Sequence, residues 1–208
     1  MKINEKIMIP IILGIIVICN VILFVRNKTI HHDFEIDQLK EYELKYWETK
    51  IQLVDEVQNY INTVAPTSNL RACILVDACE KYNIEVKFAL AQGELESHFG
   101  TKGLASKTNS VWNVGAYDGH TFSKIMNYKY SHPNESIEPY LKLLYERYLT
   151  YETEEGLLKN FVDYNDNRFA SDESYEERLR YKYKYISNNT QIDSLTSQLN
   201  YWRVKCNR

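Results

Sequence analysis

The 208-residue sequence predicts a mainly α fold with one small β element, carried behind an apolar N-terminal helix and an acidic amphipathic stalk helix. Three observations predict it. An apolar run opens the chain. Beyond it, apolar residues recur at three- and four-residue steps, with only 7 glycines and 4 prolines available to break helices. One stretch, Thr108 to Tyr130, abandons that period and mixes Val111, Trp112, Val114, Tyr117, Phe122 and Ile125 with Asn, Gly and Asp.

The apolar run "IMIPIILGIIVICNVILFV" covers 19 residues, Ile7 to Val25, with Asn20 its only polar side chain. As a helix it measures roughly 28 Å, close to the hydrocarbon thickness of a bilayer. A cleavable signal peptide is the competing reading, but the run is long and no small-x-small cleavage site follows it. A lipoprotein signal at Cys19 would need a small residue where Ile18 stands. Residues 1–28 are therefore expected to be a membrane anchor, crossing through residues 7–25. Lys2 and Lys6 precede the run while Arg26 and Lys28 follow it, so charge does not set its orientation.

Residues 29–64 read as the stalk. Leu39, Trp47, Ile51, Val54, Ile61 and Val64 mark one helical face, and acidic residues outnumber lysines between Asp33 and Glu56. A solvated helix is the plain interpretation; a coiled-coil partner, through self-association or assembly, is the alternative. "APTSN" (Ala65 to Asn69) breaks this helix and offers Ser68 as the N-cap of the next, which runs to Tyr82. A third helix spans Ile84 to His98. After a small hairpin expected around "YDGH", helices are expected over Ser136–Tyr151, Glu154–Tyr164 and Asp172–Ser187. The last, Gln191–Cys206, carries Ile192, Leu195, Leu199 and Trp202 at 3, 4, 3 spacing. The domain division is thus 1–28, 29–64, a main helical unit at 65–188, and a C-terminal amphipathic helix at 189–208.

A net charge of −3 without a basic stripe argues against a nucleic-acid partner. Cys73 and Cys79, six apart on one helix, point about 240° apart and cannot easily bridge. Neither these nor Cys19 and Cys206 fit a metal or redox spacing. No metal and no cofactor are expected.

The third helix holds the chemical question. In "LAQGELESHFGTKG" the glutamates Glu94 and Glu96 are two residues apart, hence about 200° apart in projection. Glu96 shares a face with Ala89 and Gly93, while Glu94 falls with Glu85 and Lys87 on the side expected to face water. In the last helical turn, against the core, Glu96 meets two effects that raise a carboxyl pKa: burial and the negative end of the helix dipole. That suits a general acid. A surface charge at a frayed helix end is the plain alternative.

"ALAQGELESHFGTKG" is similar to the signature of the glucosaminidase domains of glycoside hydrolase family 73, a glutamine-containing helix ending in Leu-Glu-Ser, a variable residue, an aromatic and Gly. Leu95, Glu96, Ser97, Phe99 and Gly100 match it. Three further segments resemble the family in the same order. They are "NSVWNVGAYDG" (Asn109 to Gly119), "ESIEPYLKLL" (Glu135 to Leu144) and "RFASDESYEERL" (Arg168 to Leu179). Phe169 replaces the family's usual first Tyr of the last segment, and His98 stands where Gly is common.

The resemblance implies a lysozyme-like domain that hydrolyses peptidoglycan glycan strands at the β-1,4 bond following N-acetylglucosamine. It implies Glu96 as general acid and Tyr175 as the cleft tyrosine that positions the reacting sugar. Asp118, in the "YDGH" turn, is the candidate second carboxylate, against a plain turn-forming role. Trp112, Tyr117, Phe122 and Phe169 are candidates to stack on sugars, and Asn113 to bind an acetamido group. Trp112 could equally be core, and Asn113 could bond its own backbone. The expected partner is the glycan strand, met by a membrane-anchored domain facing the cell wall, or a virion-associated one if phage-encoded. A lytic transglycosylase and an inactive wall-binding subunit are the alternatives.

Overall fold

The computed structural model describes residues 5–115, 121, 124, 126, 127 and 129–206; along the first helix it leaves out the side chains of 5–19, 21, 22, 27 and 29–35. Among the described residues the α-helices run in order: α1 (Glu5–Val64), α2 (Ala72–Tyr82), α3 (Val86–Ser97), α4 (Ala105–Thr108), α5 (Ile137–Leu143), α6 (Glu154–Leu157), α7 (Tyr175–Asn189) and α8 (Ile192–Lys205). A 3₁₀ turn at Pro133–Ser136 leads into α5 and a wide π turn at Leu144–Tyr148 follows it.

The chain forms two compact units, one of Met1–Glu48 with Asn200–Arg208 and one of Thr49–Leu199. In the first, Tyr42 stacks on Trp202 with ring centroids 6.0 Å apart, so the final helix lends an aromatic anchor to α1. The second contains the core. Leu53, Val57, Tyr60 and Ile61 of α1 are buried in it, as are Ile192, Leu195 and Leu199 of α8. The last turns of the acidic helix therefore belong to the folded unit. Among the described residues no helix is long and apolar enough to cross a membrane; of residues 7–25, the side chains of 7–19, 21 and 22 lie outside that description.

Helix α3 organises the second unit. Val86, Phe88, Ala89, Leu90, Ala91, Gln92, Gly93, Glu94 and Ser97 are all buried, so it has no solvent face over most of its length. It packs most extensively along α7 and also against α2. A helix buried on every side overrides the amphipathic expectation for Glu94. That residue is 5 % exposed, accepts a hydrogen bond from the Tyr60 hydroxyl of α1, and pairs with Lys182 of α7. Glu94 is a buried tie between three helices, not a surface charge.

Tertiary partners also moved the caps. Ser68 does not cap α2: its hydroxyl donates to the Phe99 carbonyl at 2.7 Å and accepts from the Leu70 amide. The amides entering α2 are satisfied across space instead, Arg71 by the Asn134 side chain at 2.8 Å and Ala72 by Gln58 of α1 at 2.9 Å. The helix expected over Glu154–Tyr164 stops at Leu157. Beyond it the Asp163 carboxylate collects the amides of Asn165 and Asn167, a local alternative to helical bonding. Val162 and Arg168 meet there in an isolated bridge.

The expected hairpin is not seen. Among the described residues no strand occurs; residues 116–120, 122, 123, 125 and 128 lie outside them, and Lys124 and Met126 are helical. Upstream, Val111 and Trp112 do not alternate across a sheet but both enter the core, at 0 % and 1 % exposure. The Ser136 hydroxyl accepts from the Val111 amide, fixing that segment as a buried turn.

Candidate active site

The last turn of α3 ends in three successive left-handed residues, His98, Phe99 and Gly100, with φ of 47°, 52° and 83°. The amides of His98 and Phe99 return to the carbonyls of Glu94 and Gly93, closing the helix. Ser97 then joins this end to the following loop: its hydroxyl donates to the Val111 carbonyl at 2.6 Å and accepts from the Gly100 amide at 2.8 Å. A side chain on Gly100 would meet Val111 at 3.3 Å in a backbone region that disfavours side chains. Local chemistry of this kind brings Asn113, itself left-handed at φ 51°, beside Glu96.

Glu96 is half-buried at the floor of an open cleft of about 710 Å³ that is also lined by Trp112, Asn113, Phe169 and Tyr175. The Tyr175 hydroxyl donates to Glu96 Oε1 at 2.6 Å and the Asn113 amide donates to Oε2 at 3.1 Å. Burial pushes the carboxyl pKa up, and the two hydrogen bonds and the Arg178 charge only partly counter it. The direction is the one expected of an inward glutamate at a helix end.

Behind Glu96 runs a directed chain of hydrogen bonds. Tyr140 donates to Gln92 Oε1 at 2.7 Å, Gln92 Nε2 donates to the Tyr175 oxygen at 3.0 Å, and Tyr175 donates to Glu96. With its oxygen occupied by the Gln92 amide, Tyr175 can point its proton only at the carboxyl. Burial first, then the neighbouring Glu96, hold the Tyr175 phenol far above its usual range, so it stays protonated. The tyrosine is 4 % exposed and opens α7.

Trp112 is mostly core. Its indole N–H donates to the Ala89 carbonyl at 3.0 Å and its ring stacks on Tyr140, with centroids 4.4 Å apart and planes 5° from parallel. At 1 % exposure the indole backs the cleft floor from within the core, which corrects its expected role as a sugar platform. Phe169 is half-buried on the opposite wall, stacked on Phe161 at 4.6 Å. The Asn113 oxygen is buried and has no hydrogen-bond partner among the described residues. His98 is a half-buried helix cap whose imidazole pKa is lowered, first by burial. Asp118, Tyr117 and Phe122 lie outside the described residues. Among the described residues no three His, Cys, Asp or Glu side chains gather as a metal site.

Three groups in or behind the cleft had no role assigned in the sequence reading. Gln92 carries a weak signal, standing four residues before Glu96 on the same helical face. Tyr140 carries none. Arg147, Arg168 and Arg178 line the cleft from different segments, with Asp172 beside Arg178.

The described cleft thus sets one half-buried carboxyl, its pKa raised by burial, among hydrogen-bond donors in a helical unit. The model of the glucosaminidase family, described as mannosyl-glycoprotein endo-beta-N-acetylglucosaminidase, matches residues 72–188, from the start of α2 almost to the end of α7. That match covers more than half of the chain, and the chain belongs to the glucosaminidase family. No curated protein and no solved structure matches it.

Proposed function

We propose that this protein is a peptidoglycan hydrolase of the endo-β-N-acetylglucosaminidase type. The observation that carries the proposal is the Glu96 carboxyl, raised in pKa by burial and held at the cleft floor by Tyr175 and Asn113. In this reading Glu96 gives its proton to the glycosidic oxygen as the bond from the sugar's anomeric carbon breaks. A water adds its hydroxyl to that carbon and loses its own proton to a second group. Tyr175 stabilises the carboxylate that Glu96 becomes. The unpartnered oxygen of Asn113 suits the N–H of an acetamido group.

Asp118 is our candidate for the second group. Asp172, the other carboxylate among the described cleft residues, is engaged by Arg178 and by the Ser174 amide and hydroxyl, which hold its pKa low. Phe169, Tyr117 and Phe122 are proposed to meet sugar faces; Trp112, 1 % exposed, is a core residue beneath the cleft and has no ring face to offer a sugar. Residues 7–25 are proposed to anchor the domain on the wall side of a membrane, because their apolar length matches a bilayer.

Zymography on purified peptidoglycan tests the reading. Wild type is expected to clear the substrate and Glu96→Gln to leave it intact. Equal clearing by both, or clearing by neither, overturns it. Mass spectrometry of the soluble products then distinguishes reducing-end N-acetylglucosamine, the expected product, from the anhydro-sugars of a lytic transglycosylase.

A further inference from the structure

A second groove, of about 180 Å³, opens between the last turns of α1 and the end of α7. Glu56, Asn59, Tyr60 and Thr63 line it from α1, and Tyr185 and Asn189 from α7. It shares no lining residue with the cleft at Glu96. All of its lining residues but Tyr185 lie outside 72–188, the segment that the family model matches. The groove is therefore built mainly by the segments that flank the family's domain.

Its side chains set neutral hydrogen-bonding groups beside an aromatic ring. Tyr185 is 45 % exposed, and among the described residues neither its hydroxyl nor the Asn59 carboxamide hydrogen-bonds within the protein. The Asn189 amide nitrogen donates to the Tyr185 carbonyl at 2.8 Å, which leaves the Asn189 side-chain oxygen to accept. Tyr60, 7 % exposed with its hydroxyl on Glu94, backs the groove. The charged side chain among the described lining residues is Glu56, which accepts the Gln191 amide at 2.9 Å; no lysine or arginine is there to select an anion. Hydroxyl and acetamido groups around an apolar ring face call for this mixture of donors, acceptors and an aromatic surface.

One face of α7 serves both sites. Arg178, Lys182, Tyr185 and Asn189 follow at 4, 3, 4 spacing, which puts them on a single stripe over roughly 16 Å of helix. Arg178 lines the cleft, and Tyr185 and Asn189 line the groove. Between them the Lys182 ammonium is held by Glu94 at 2.5 Å.

Resting on the hydrolase reading of the cleft, we propose that this groove is a second sugar-binding site. It holds an N-acetylated sugar of the same glycan strand whose reacting bond lies at Glu96, with the strand laid along the α7 stripe. A strand long enough to reach both sites makes its second contact intramolecularly and is retained more tightly than a short one. The chemistry at Glu96 is unaffected.

Binding to the full chain in a Glu96→Gln background tests it. The probes are peptide-free glycan strands released from peptidoglycan by an amidase, used as long fractions and as the disaccharide, which is too short to span the stripe. Asn59→Ala/Tyr185→Ala changes two exposed side chains, and an unchanged Tm shows that the variant is folded. It is expected to lose about 10-fold in affinity for long strands and less than about 2-fold for the disaccharide. Hydroxyl-radical footprinting, which needs no variant at the groove, should find Tyr185 shielded by long strands. Unchanged long-strand affinity in the folded variant, equal losses on both probes, or Tyr185 oxidised alike with and without long strands overturns the groove and leaves the Glu96 zymogram standing. Binding of neither probe overturns the groove and the substrate reading together. Shielding of Tyr185 beside a negative wild-type zymogram supports the groove and removes the hydrolase. Displacement of long strands from Tyr185 by free stem peptide and not by chitohexaose overturns the sugar assignment in favour of a peptide.

Discussion

Tyr175→Phe isolates one hydroxyl with two bonds. The first is the 2.6 Å donation to Glu96, the second the 3.0 Å bond accepted from Gln92. A hydrogen bond to a charged group is worth about 1.5–3 kcal/mol. If the bond to Glu96 is fully made only once the carboxyl has given up its proton, its loss slows the proton-donating step by about 10- to 150-fold. Without the donor the carboxylate is also less favoured, so the Glu96 pKa rises further. The basic limb of the kcat/KM profile, where the acid loses its proton, should move to higher pH. On the other side, the Gln92 amide is left unpaired at a site with 0 % exposure, costing about 1–3 kcal/mol of stability. The assays are release of reducing ends from purified peptidoglycan across pH, and thermal unfolding of the same preparations. A basic limb that stays in place or moves toward acid refutes the claim that Tyr175 acts through the charged form of Glu96. A fall in activity that only tracks the lost stability refutes it as well.

Glu96→Gln should be more stable than wild type at neutral pH. Because burial raises its folded pKa, the native state binds the proton more tightly than the unfolded chain and loses stability as pH rises through that value. The gain should therefore vanish below about pH 4, where both forms of the wild type are protonated; a wild type more stable than the variant at neutral pH would sink the assignment. Gly93→Ala should lower Tm. The new methyl would lie 3.1 Å from Trp112 Nε1 and 3.3 Å from Phe99 Cδ1, and the indole is held by both Ala89 and Tyr140. Overpacking of about 1–3 kcal/mol then outweighs a helix-propensity gain of up to about 1 kcal/mol. An unchanged or raised Tm would show that the indole can shift.

Legibility followed the range of the interactions. The helices were readable because apolar period and breaking residues are local properties. The inward placement of Glu96 came from the same periodicity, and the motif after it is local as well: Ser97 ties Gly100 three residues away and Val111 fourteen away. Where the structure departs, a distant partner has intervened. Glu94 looks solvent-facing on a helical wheel, yet Tyr60 and Lys182, 34 and 88 positions away, enclose it. Ser68 reads as a cap, but it keeps only the Leu70 amide, and those of Arg71 and Ala72 at the start of α2 are taken by Asn134 and Gln58. Val111 and Trp112 are neighbours in a stretch expected to lead into a hairpin, and the core claims both.

By itself the sequence determined a helical chain, an apolar run at its start, and a glutamate on the inner face of a helix end. It also determined the family resemblance that gives that glutamate a chemical meaning. Only the tertiary structure decided the surroundings of Glu96. The chain Tyr140–Gln92–Tyr175–Glu96 joins residues 48, 83 and 79 positions apart, and Arg147 and Arg168 pair with the buried carboxylates of Asp163 and Glu176. Such contacts leave no period or spacing in the sequence. They exist because α3 is enclosed on all sides, and enclosure is a property of the packed helices together.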